Sequence, residues 1–131
     1  MISIPVKLHT PDAMVTESEG LIKFDEGRLV LEYQTKDAFF GTFRSEVKEL
    51  EILPDEVSSI TFRRGLVKTE LTIRAKTMKK FGDVPGAKLG EVRLRFKKRD
   101  RAEATELAEF LQHRLDQLRD SRGRENMEEL G

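Results

Sequence analysis

The sequence predicts a mainly β domain in which seven short antiparallel strands are closed by one C-terminal helix. Three observations carry that prediction. Apolar and polar residues alternate at period two in short runs, and glycine, proline and aspartate interrupt those runs at close intervals. Only after Asp100 does the apolar spacing change to three and four. At 131 residues one core accounts for the whole length.

The first run places Ile2, Ile4, Val6 and Leu8 on one face, with Pro5 marking an edge or a bulge. The segment TPDAMVTESEG reads as turn-rich. LIKF and RLVLEYQTK then form a hairpin about Asp25-Glu26-Gly27, whose glycine supplies the positive φ a tight turn needs. The loop DAFFGTFRS leads to VKELEIL, which stops at Pro54-Asp55. VSSITFRR stops at Gly65, and TELTIRAK follows almost at once. At Ser58-Ser59 the alternation slips, as it does at a β-bulge.

Residues 77–90 hold three glycines and a proline and read as a long connecting loop. In the seventh strand, EVRLRFKK, Val92, Leu94 and Phe96 alternate with Arg93, Arg95 and Lys97. Asp100 and Glu103 have the spacing of a capping box. Ala104, Leu107, Ala108, Leu111, Leu115 and Leu118 then mark an amphipathic helix over about residues 101–120, with Phe110 widening its stripe. Residues 1–120 form a single domain on this reading, and 121–131 a flexible tail.

This order of elements, with the segment VKELEILPDEVSSITFRRG and the ending GEVRLRFKKRDRAEATELAEFL, resembles the pleckstrin-homology-like and GRAM-like superfold, small bacterial versions in particular. The resemblance covers almost the whole chain and rests on element order and apolar pattern. It implies a seven-stranded bent barrel of two nearly orthogonal sheets, capped by the helix, that binds lipids, peptides or proteins and does not catalyse. Phosphoinositide-binding members place a lysine near the end of strand one and a basic-x-arginine pair on strand two. Here Lys7 and Lys23 fill two of those positions but Asp25 stands where arginine is required, so the lipid site is not carried over.

No catalytic constellation accompanies this pattern, and the chain reads as a non-enzyme without metal or cofactor. Its two histidines, His9 and His113, lack a ligand spacing, no GxSxG elbow surrounds a serine, and GDVPGAKLG is not a phosphate loop. The absence of cysteine removes thiolate and zinc-cysteine chemistry and suits a reducing compartment. No apolar run approaches a membrane span, and MISIPVKLH lacks the features of a signal peptide, so a cytoplasmic protein is expected, at most peripheral at the inner membrane face.

Charge is informative because the neutral total hides a partition. Residues 1–60 carry 6 basic and 12 acidic side chains, residues 61–100 carry 13 and 4, and residues 101–131 carry 5 and 8. Pairing of strands six and seven would gather Arg74, Lys76, Arg93, Arg95 and Lys97 on one outward face, with Lys79 and Lys80 in the loop between them. Such a face is either a surface for anionic lipid, nucleic acid or an acidic partner, or a solvated sheet face that deters edge pairing. It offers no aromatic for base stacking, which argues against nucleic acid.

Phe39, Phe40 and Phe43 concentrate three of the eight phenylalanines in the loop after strand three. They either cap the barrel or form an apolar contact patch for a partner. The leading expectation is a binding or scaffold module that engages a protein, or a second copy of itself, through these rings. A membrane adaptor using the basic face is the alternative, and no small-molecule substrate is expected.

Overall fold

The computed structural model describes residues 2–8, 16–25, 27–37, 47–82, 84 and 86–130, with side chains described throughout except at 16–17, 34–37 and 122–130. Its strands are β1 (Ile2–Leu8), β2 (Thr16–Asp25), β3 (Arg28–Asp37), β4 (Lys48–Ile52), β5 (Val57–Arg64), β6 (Thr69–Ala75) and β7 (Glu91–Phe96), followed by helix α1 (Arg101–Leu130). All pair antiparallel in the order β4-β3-β2-β1-β7-β6-β5. The protein is therefore mainly β, a curled half-barrel with one C-terminal helix. The β1–β4 and β5–β7 halves join into one sheet through a narrow seam, Lys7 opposite Arg95 and Leu8 opposite Leu94.

Alternation decides which face turns inward. Ile4, Val6 and Leu8 of β1, Leu29, Leu31 and Tyr33 of β3, Leu71 and Ile73 of β6, and Val92, Leu94 and Phe96 of β7 all lie in one buried cluster. Pro5 is tolerated because β7 reaches β1 only at Lys7 and Leu8, leaving that side of the strand open. The register of β5 against β6 shifts between Val57 and Ser59, the expected bulge, and the Ser58 hydroxyl donates to the Arg74 carbonyl at 3.1 Å. Gly27, at φ 85°, closes the β2–β3 hairpin beyond the Asp25–Arg28 pair.

Gly20 serves the curl of the sheet: a Cβ there would stand 2.3 Å from the Glu32 carbonyl oxygen on the neighbouring strand. Three features differ from the sequence reading. β2 begins at Thr16, inside the segment read as a turn, because residues 16–20 continue the β3 ladder to Asp37. Phe81 and Val84, in the segment read only as a connecting loop, are buried in the core cluster. The helical backbone also runs past residue 120, where the apolar stripe ends, to Leu130.

Helix α1 lays Ala104, Leu107, Ala108, Leu111 and Leu115 into that cluster, packing against β1, β5, β6 and the 3-10 turn at Pro54–Glu56. Phe110 meets Phe24 of β2 with ring centroids 4.2 Å apart and planes tilted 60°. The stripe supplies the apolar surface that β4 and β5, at the two ends of the sheet order, do not give each other by pairing. Replacing Leu111 by Ala removes a fully buried side chain from this contact and should cost roughly 2–5 kcal/mol in a denaturant titration. Gly20→Ala should cost about 1–3 kcal/mol through overpacking against the β3 backbone.

Candidate functional site

The outward face of β5, β6, β7 and β1 is where the sequence places its basic surface, and the register sorts those charges into rows. One row runs Arg63, Glu70, Arg95, Lys7 and then Glu19 of β2. A second sets Thr61 and Thr72 beside Arg93, and a third sets Arg74 against Glu91. Basic and acidic side chains thus stand opposite one another along the face.

Three of the seven cations expected to form the anion surface are engaged by carboxylates. Arg74 reaches Glu91 Oε1 through both Nε and Nη2, at 3.0 and 2.7 Å. Arg95 Nε donates to Glu70 Oε2 at 3.2 Å, and Lys80 Nζ lies 2.7 Å from Glu56 Oε2. Lys76, Lys79, Arg93 and Lys97 are exposed and make no ion pair with the described residues. The register thus brings three of the seven, Arg74, Arg93 and Arg95, onto one face, pairs two of those with carboxylates, puts Lys97 just beyond β7, and leaves Lys76, Lys79 and Lys80 at the β6–β7 loop end. Phe39, Phe40 and Phe43 lie outside the described residues, as does His9. His113 is an exposed residue of α1.

Cations without carboxylate partners gather at the other end of β6. The β5–β6 connection, the end of β7 and the start of α1 meet there, because Arg64 is opposite Thr69 and Thr69 opposite Phe96. Arg63, Arg64, Lys68, Lys97 and Lys98 are exposed, and Arg99 is exposed 3.9 Å from the Asp100 carboxylate. Arg101 ties the region together: its Nη2 donates to the Gly65 carbonyl at 2.6 Å and its Nε to the Thr69 hydroxyl at 3.3 Å. Beyond Gly65 stand Leu66 and Val67, among the most exposed large apolar residues described. Reading Gly65 as a turn missed this end. The available signal was Leu66-Val67, two adjacent aliphatic residues in a short connection between strands, where Gly, Pro, Asn, Asp and Ser dominate.

A second candidate region is an open cleft of about 400 Å³ between the start of β4 and residues 79–84, lined by Tyr33, Lys48, Leu50, Lys79 and Lys80. Glu49 also lines it, and Lys80 is held by Glu56. No group of three or more His, Cys, Asp or Glu positioned to hold a metal occurs among the described residues. No described helix is long and apolar enough to cross a membrane. No family model, curated protein or solved structure matches the chain.

Two ion pairs make part of the stability of the fold pH-dependent. Hydrogen bonding to Lys80 holds the Glu56 carboxyl below its ordinary 4.5, helped by the Leu53 N–H donated to its Oε1 at 3.1 Å, while burial opposes the shift. Lys23 likewise lowers Glu32, and Glu32 raises Lys23 above 10.5. A lowered carboxyl stabilises the fold above its unfolded value, and that contribution is lost as pH falls through the folded value. Glu56→Gln should therefore flatten the loss of stability below about pH 4.5 in acid titrations followed by circular dichroism, with little change in slope at neutral pH. The raised Lys23 works in the opposite sense: its contribution is present below 10.5 and declines as pH rises through the folded value.

Proposed function

We propose that the chain is a non-enzymatic, pleckstrin-homology-like adaptor that docks an anionic partner on the cationic end formed by the β5–β6 connection, the end of β7 and the start of α1. The observation that carries this reading is the sorting of the charges. Among the described residues, Glu91 and Glu70 on the β6 and β7 faces neutralise Arg74 and Arg95 and leave Arg93 alone, whereas Arg63, Arg64, Lys68, Lys97 and Lys98, with no carboxylate within ion-pair distance, lie together at one end. Unbalanced cations on a small convex surface raise the local concentration of an anionic partner and steer its approach.

Two further features support the reading. The meander in which β1 lies beside β7, with a helix against the sheet, follows the element order behind the pleckstrin-homology-like resemblance. Helix side chains also fill the inner face, so the outer surface is where this module would work. In this reading the anion surface is displaced from the sheet face toward its end, because Glu70 and Glu91 occupy the face itself.

Chromatography on an immobilised polyanion tests this proposal. The wild-type chain should be retained and should elute at higher salt than the double variant Arg64→Glu, Lys98→Glu. Lys48→Glu, in β4 away from that end, should lower the elution salt far less than either charge reversal there. Interactions of this kind weaken as salt screens them over a Debye length of about 10 Å at 0.1 M. Flow-through of the wild type at low salt would overturn the proposal.

A further inference from the structure

We infer that the β5–β6 tip is a bilayer-docking finger, with Leu66 and Val67 entering the interface of an anionic membrane while the surrounding cations engage lipid headgroups. This rests on the reading of that end as the docking surface for an anionic partner, and it commits to which partner. The Gly65 N–H donates to the Lys68 carbonyl at 2.7 Å, which leaves Leu66 and Val67 at the apex of the four-residue connection between Arg64 and Thr69. They are 93% and 88% exposed. Both lie outside the core cluster, so the fold gains no burial from them.

Turn chemistry does not ask for these residues either. Short connections of this kind ordinarily take Gly, Pro, Asn, Asp or Ser, so two adjacent aliphatic side chains at the apex are unusual. Where local sequence departs from the rule and no packing compensates, a use outside the fold is the remaining explanation. The tip is also held firmly. Arg101, at the start of α1, binds the Gly65 carbonyl and the hydroxyl of buried Thr69, so the finger is anchored to the helix that closes the core.

Charge and shape select the partner. Arg63, Arg64, Lys68, Lys97, Lys98 and Arg99 flank the tip. Glu70 is engaged by Arg95, leaving Asp100 and Glu103 as the acidic residues at the start of α1. Two aliphatic side chains on a protruding turn present far less than the roughly 800 Å² per partner of a standard protein interface. They offer no aromatic ring for a nucleobase. A bilayer interface suits both parts, taking apolar side chains below the headgroups and basic ones at headgroup level.

The test uses the full chain with vesicles of phosphatidylcholine alone or mixed with phosphatidylserine. Because the chain has no tryptophan, Leu66→Trp introduces a single reporter at the tip. Its emission should shift to the blue with phosphatidylserine vesicles and be quenched by brominated acyl chains. The double variant Leu66→Asn, Val67→Gly removes two side chains that the fold leaves exposed and outside its core, so its thermal stability should stay close to wild type while vesicle affinity falls about tenfold or more. Retention on the polyanion combined with no vesicle binding, no acyl-chain quenching, or wild-type vesicle affinity in the Asn-Gly variant would overturn the finger and leave the anionic-partner reading standing. Failure of the wild type to bind either polyanion or vesicles would overturn both.

Discussion

The burial of one apolar helix stripe against a curled, incompletely closed sheet is the constraint on which the structure depends. Seven strands of this length do not form a closed ring here: β1 and β7 meet over two residue pairs, and β4 and β5 end the order without pairing. A sheet left in that state would expose its inner Leu, Ile and Val side chains to water at roughly 25 cal/mol per Å². Ala104, Leu107, Ala108, Leu111 and Leu115 cover them, together with Phe81 and Val84 from the long loop. The helix and that loop are therefore parts of the core.

That constraint shapes the outside. Strands buried on one face must carry their charge on the other, and short cross-strand distances make like charges costly there. Glu70 and Glu91 answer Arg95 and Arg74 accordingly, and across the other half of the sheet Lys23 answers Glu32 and Arg28 answers Glu51. Positive charge in excess of this pairing collects where strands end and the backbone turns. The same Arg101 that begins α1 fastens the β5–β6 connection, so the element that closes the core also positions the cationic end.

Much of the fold was legible because period-two alternation and turn residues are local signals. Each of the seven strands, the bulge at Ser58 and the glycine turn at Gly27 could be placed from neighbouring residues alone. Less could be read where partners lie far apart in sequence. The early start of β2 depends on pairing with the end of β3, and the burial of Phe81 depends on the gap that an unclosed sheet leaves. The candidate site was partly legible. Cations at 74, 93 and 95 do share a face, but counting them overlooked the carboxylates that the register sets opposite Arg74 and Arg95. The Leu66-Val67 tip was visible as an unusual turn and was passed over because Gly65 accounted for the chain reversal.

Native-state hydrogen exchange tests the central claim most directly, since it reports whether helix and sheet open together. The account predicts that amides of residues 107–115 exchange with the same opening free energy as those of Val6, Leu71 and Leu94, as one cooperative unit. Rapid exchange through the helix while the sheet amides stay protected would mean that the sheet holds itself closed without α1, and would contradict it.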